Sequence, residues 1–181
     1  MNIIDENIAL NEKHEREKMV SLFHGIEGDI TMLLTDEGFG QKPINIVELI
    51  VFAMYLIADT YILAKSDKHN AKEILNSFYY DIHDYFINDI VIKDQKITDM
   101  EDIQSISNKL YDIICCRFLE YAEKFKQDIF RPLALSCPNT VSHLMDNLFV
   151  KPLSKKENNQ LSLAMSCKII YLWIGCMESF K

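Results

Sequence analysis

The sequence predicts an all-α fold, a compact bundle of five to seven helices around a central apolar helix at about 46–65. Three observations predict it. Apolar residues recur at helical spacing along most of the chain, in stripes too long for strands. Turn chemistry is scarce, with 5 Gly and 4 Pro in 181 residues, which disfavours a fold built of hairpins. Two capping boxes, Asn45 with Glu48 and Ser154 with Glu157, each stand at the head of an apolar stretch. We read residues 1–181 as a single all-helical domain, because no repeat, low-complexity tract or linker divides them.

A first helix is expected over about 7–34, with Met19, Leu22, Phe23, Ile26, Ile30, Leu33 and Leu34 on one stripe and Gly25 and Gly28 opposite. Gly38-Phe39-Gly40-Gln41-Lys42-Pro43 is a turn; without a preceding strand and a longer glycine pattern it is no phosphate cradle. The second helix, about 46–65 behind the Asn45 cap, is apolar on nearly all sides and therefore central. A third, about 68–88 with Asp67 as its cap, carries Ala71, Ile74, Leu75, Phe78, Ile82, Tyr85 and Phe86 on its stripe. Ile90-Val91-Ile92 is β-branched and could form a short strand, although one isolated strand is not stable alone, and a polar loop follows over 93–98. The fourth helix, about 99–127, shows Ile103, Ile106, Leu110, Ile113, Ile114, Tyr121 and Phe125 on one face. Pro132 and Pro138 bracket a break, a short fifth helix carries Val141, Leu144, Met145, Leu148 and Phe149, and Ser154 opens the last helix.

Composition narrows the function classes. The chain is 49% hydrophobic and 25% charged, enough apolar material for a core. Its formal charge is −8, from 19 basic and 27 acidic residues. The basic groups at 13–18 are broken by Glu15 and Glu17, and Lys155-Lys156 is only a pair, so nucleic-acid binding is disfavoured. Met1-Asn2-Ile3-Ile4-Asp5-Glu6 does not read as a signal peptide. Glu48 and Asp59 interrupt the apolar run from Ile44 to Ala64, and Lys168 interrupts Leu161 to Met177, so both are read as core helices, with no membrane partner. The odd set Cys115, Cys116, Cys137, Cys167 and Cys176 has no Cys-x-x-Cys spacing, which points to free thiols in a reducing cytoplasm.

His83-Asp84 is the one fragment with the look of a metal site. The adjacent pair resembles the centre of HD-type metal-dependent phosphohydrolases, a resemblance that covers two residues of the chain. It implies an upstream His, for which His24 or His69 is available, and a downstream Asp, from Asp112, Asp128 or Asp146, holding ions that activate water. The helical wheel argues the other way, placing His83 on the flank of its stripe and Asp84 on the far side, with Tyr85 where a glycine commonly follows. The pairs His24/Glu27 and His143/Asp146 share helix faces, yet they reverse the Glu-x-x-His order of di-iron bundles. Cys137 precedes a helix start, where the dipole favours a thiolate, but His143 stands beyond the first turn. No catalytic residue and no cofactor are assigned.

Two charges stand where apolar residues belong: Asp59 in the middle of the most apolar helix, and Arg117 in the stripe of the fourth. A buried charge costs several kcal/mol unless paired. The two are therefore expected to pair with each other or to line a ligand pocket. The last helix is apolar on two sides. Met165, Ile169, Leu172, Trp173, Cys176 and Phe180 can fill the core, while Leu163, Ile170, Ile174 and Met177 form a second stripe expected to contact another copy of the chain. The leading expectation is a cytoplasmic, homo-oligomeric, non-enzymatic protein-interaction module. The alternatives are the phosphohydrolase at His83/Asp84 and a small-ligand binder with an internal pocket near Asp59 and Arg117.

Overall fold

The structure, a computed structural model, describes residues 3–65, 70–129 and 137–181. It is all-α: α1 (Ile3–Asp36), α2 (Ile46–Ala64), α3 (Ala71–Tyr85), a π-helical segment (Phe86–Asp94), α4 (Met100–Ile129), α5 (Pro138–Leu148) and α6 (Lys155–Phe180). Asp67, His69 and Pro132 lie outside the described residues.

The apolarity of α2 on all sides places it at the centre, packed against α6, α4, α1 and α5. Every residue from Leu49 to Ile57 is buried. By length and composition both α2 and α6 could cross a membrane; 67% of the apolar window of α2 and 33% of that of α6 are buried inside the fold. α1 lies over α3, α2 and α6, burying Met19, Phe23, Ile26, Ile30 and Leu34. Its far side carries Gly25 and Gly28, where an added Cβ would meet open space.

The helix ends are closed by local chemistry. α1 stops in a Schellman turn: Gly38 takes φ +84°, its N–H donates to the Thr35 carbonyl, and the Phe39 N–H donates to that of Leu34. Leu34 and Phe39, both buried, supply the apolar contact that accompanies this motif. Gly40 has no room for a side chain, since a Cβ would stand 2.8 Å from Thr35 Oγ1. The Ser154–Glu157 capping box of α6 is present in full, and Lys42 further holds the Glu157 carboxyl down at about 2 by hydrogen bonding. At α4, Asp99 accepts from the N–H groups of Glu101 and Asp102.

Three expectations are corrected. The Asn45 side chain does not cap α2, because Glu48 turns inward to other partners, and the Asn45 N–H instead donates to the Leu148 carbonyl. Residues 90–92 are part of the π-helical segment, not a strand; the wider turn brings Phe86, Ile87, Ile90 and Val91 inward together. Ile113, expected on the core stripe of α4, is exposed. Among the described residues the extended pairing is confined to one antiparallel bridge, Ile44 with Phe149, which ties the α1–α2 loop to the α5–α6 loop.

Candidate functional site

α3 packs on α1, and α4 packs on α2 and α5, so α3 and α4 diverge over α2. The divergence leaves a cavity of about 390 Å³. Its floor is Met54, Tyr55, Ala58, Asp59 and Ile62 of α2; its walls are Leu75, Phe78 and Tyr79 of α3 and Ile114, Phe118, Leu119 and Ala122 of α4. Asp59 is the sole charged residue of this lining. The site half-opens to solvent through Ile62 and Leu119, both exposed.

Asp59 sits beside an aromatic cluster. Tyr55, one turn earlier on the same face of α2, meets Phe118 and Phe125 edge-on, and Phe125 contacts Trp173 of α6. Trp173 Nε1 donates to Asp59 Oδ2 at 3.1 Å. Burial raises the Asp59 carboxyl above its ordinary value and outweighs the lowering by the Trp173 hydrogen bond. Burial and the nearby Asp59 charge together push the Tyr55 phenol up. No Lys, Arg or His among the described residues forms an ion pair with Asp59.

Arg117 is elsewhere, and the expected Asp59–Arg117 pair is not formed. Arg117 Nε lies 3.2 Å from Glu48 Oε2, Nη1 donates to Glu120 at 2.5 Å, and Nη2 donates to Asn147 Oδ1 at 2.7 Å. The Glu48 side chain is 2% exposed and also accepts from the Tyr121 hydroxyl. Glu48 and Asp59 share a face of α2 but stand about 16 Å apart along its axis, so one guanidinium cannot serve both. His143 stacks edge-on against Tyr121 and is held below its ordinary value by burial. Its Nε2 lies 3.2 Å from Glu120 without hydrogen-bond alignment. This network joins α2, α4 and α5. Its carboxylate is satisfied from both sides, as a structural latch requires.

The remaining candidates resolve simply. His83 Nε2 meets Ser107 Oγ at 2.8 Å, and the Asp84 side chain is 73% exposed. Among the described residues no group of three or more His, Cys, Asp or Glu is placed to hold a metal, and His24 is engaged by Glu27. Cys137 is buried against Ser166, its thiol pushed up to about 11 by burial. The N-terminus of α5 is taken by Asp128, which accepts from the backbone of Asn139 and Thr140, so a thiolate there meets a carboxylate instead of a free dipole. On α6 the second stripe divides: Ile170 packs against the core and Met177 is half-buried, whereas Leu163 is 72% exposed and Ile174 46% exposed.

Sequence reasoning marked Asp59 and Arg117 as displaced charges but missed Trp173 and Glu48 as their partners. Glu48 carried a usable signal, since a carboxylate in the first turn of a helix apolar all round has to be buried on some side. No known protein family, curated protein or solved structure matches this chain.

Proposed function

We propose that this protein is a non-enzymatic binding module whose α2–α3–α4 groove holds an apolar small ligand. The observation that carries the reading is the pocket itself: about 390 Å³, walled by aliphatic and aromatic side chains, with one carboxylate at its floor. Small-ligand sites have this size and this makeup of many apolar groups and few polar ones. A groove left by diverging helices also exposes apolar surface that water covers poorly, so filling it is favourable by about 25 cal/mol per Å² of area removed from water.

The test is binding of the neutral dye N-phenylnaphthylamine, followed by its emission and by that of Trp173, the one tryptophan in the chain. Saturable binding is expected, displaced by decanol and lost in Ala122→Phe, which fills the groove from an exposed helix position. Binding unchanged in Ala122→Phe would place the dye elsewhere and remove the reading.

A second reading, self-association, is favoured by Leu163 and Ile174, exposed on one face of α6 about three turns apart. Ile170 is engaged with the core, so the contact would centre on these two residues. Light scattering that shows a dimer for the parent and a monomer for Leu163→Glu with Ile174→Glu would support it; a monomeric parent at tens of micromolar would end it. Free thiols at all five cysteines accord with the reducing cytoplasm proposed as its location.

A further inference from the structure

We infer that the groove selects an amphipathic cation, an alkylammonium-like ligand whose positive head pairs with Asp59 while its chain lies along α3 and α4. The inference rests on the binding reading above and adds the chemical class of the ligand. Its first support is the incomplete satisfaction of Asp59. Oδ2 accepts from Trp173, and Oδ1 takes no hydrogen bond from the described residues. The described bases that do pair elsewhere, such as Arg117 with Glu48 and Lys168 with Asp29, leave this carboxylate without a cation. A half-buried carboxylate so placed is stabilised by any positive group entering the groove.

The second support is the company Asp59 keeps. Tyr55 and Phe118 line the same space, and Phe125 and Trp173 stand behind them. Aromatic faces attract ammonium groups through the ring quadrupole, and a carboxylate beside such faces is the arrangement that recognises alkylated ammonium heads. The third is the apolar run from Asp59 past Ile62, Leu75, Phe78 and Leu119, which suits a hydrocarbon chain and offers a second charge nothing. A polyamine would leave its further ammonium groups unpaired there. The formal charge of −8 favours approach of cations over anions at long range.

The experiment compares decylammonium, decanol and decanoate, which share a chain and differ in head charge, by calorimetry and by Trp173 emission. Decylammonium is expected to bind at least tenfold tighter than decanol, and decanoate weakest of the three. Asp59→Asn keeps the shape and an oxygen for Trp173, and is expected to bring decylammonium down to the affinity of decanol while decanol itself is unchanged. Urea melts of the variant establish that it remains folded. Equal affinities of amine and alcohol for the parent, or a preference that survives Asp59→Asn, would overturn the inference and leave groove binding intact. Failure of all three probes to bind or to displace the neutral dye would overturn both.

Discussion

Replacing Arg117 by Met strands Glu48, the most heavily buried charge among the described residues. The substitution keeps an unbranched aliphatic side chain on α4 and deletes the guanidinium 3.2 Å from Glu48 Oε2. Among the described residues Glu48 then retains only the Tyr121 hydroxyl as a partner, in a site where its side chain is 2% exposed. Removing one member of a buried pair costs about 3–5 kcal/mol, because the other is left charged in a poor dielectric. The Arg117–Glu120 contact adds little, since Glu120 is half in solvent. Against a total stability of about 5–15 kcal/mol this is a large fraction. With a urea slope of about 2 kcal/mol/M, the midpoint should fall by about 1.5–2.5 M, read in parallel by circular dichroism and Trp173 emission. Glu48→Gln with Arg117→Met should cost less than the sum of the single changes, since Gln can still accept from Tyr121 and no charge is stranded. The cycle between Asp59→Asn and Arg117→Met should be additive within about 0.5 kcal/mol. An Arg117→Met protein within about 1 kcal/mol of the parent would refute the reasoning, as would additivity at Glu48 or strong coupling at Asp59.

Two further outcomes follow from burial. Cys115, Cys116 and Cys167 are exposed, whereas Cys137 and Cys176 are buried with thiols pushed up to about 11; a thiol-specific colour reagent at neutral pH should therefore count three reactive groups in the native protein and five in denaturant, and a fast fourth would contradict the packing of α5 or α6. Burial lowers His143 below its ordinary 6.5, so its contribution to stability is present above about pH 6.5 and is lost as pH falls towards its folded value, by at most about 1.4 kcal/mol per pH unit. Glu120, lowered by the hydrogen bond from Arg117, adds a loss only below its ordinary 4.5. Asp59, raised by burial, has the opposite sign, since its stabilising proton is present at low pH and lost as pH rises. His143→Gln should flatten the decline as pH falls below about 6.5; parallel stability curves for variant and parent would show that His143 does not titrate on unfolding.

The helices were legible because each is specified by its own residues. The apolar surround of α2 implies a central position, and the Ser154–Glu157 box works because Glu157 pairs with Lys42 through one oxygen and still accepts from the Ser154 N–H through the other. The same pattern at Asn45–Glu48 failed for a reason that lies outside the local sequence: Arg117 and Tyr121, far along the chain, compete for Glu48 and win. The π-helical segment was hidden behind β-branched residues whose propensity is overridden by the need to bury Phe86, Ile87, Ile90 and Val91 together. At Cys137 the local sequence shows the helix dipole but not its occupant, since Asp128, on another helix, takes that N-terminus.

The site was legible in kind but not in composition. A helical wheel reports the face on which a residue lies, not its height along a neighbour. It could mark Asp59 as displaced, yet it could not show that Arg117 meets α2 three turns away. Nor does a stripe of apolar residues reveal whether its neighbour closes over it. Leu75 and Phe78 on α3, and Ile114 on α4, read as core from spacing alone, and only the divergence of the two helices turns them into groove walls beside Tyr79 and Phe118. The two displaced carboxylates of α2 then part company on a physical ground. Glu48 is enclosed, paired with a guanidinium and bonded by a phenol, so its charge is answered within the chain. Asp59 has the indole on one oxygen and the groove beside it, so its charge is answered only in part. An apolar residue at that position would leave the Trp173 indole N–H without its acceptor, so the Asp59 carboxylate both ties α2 to α6 and sets a charge at the floor of the groove.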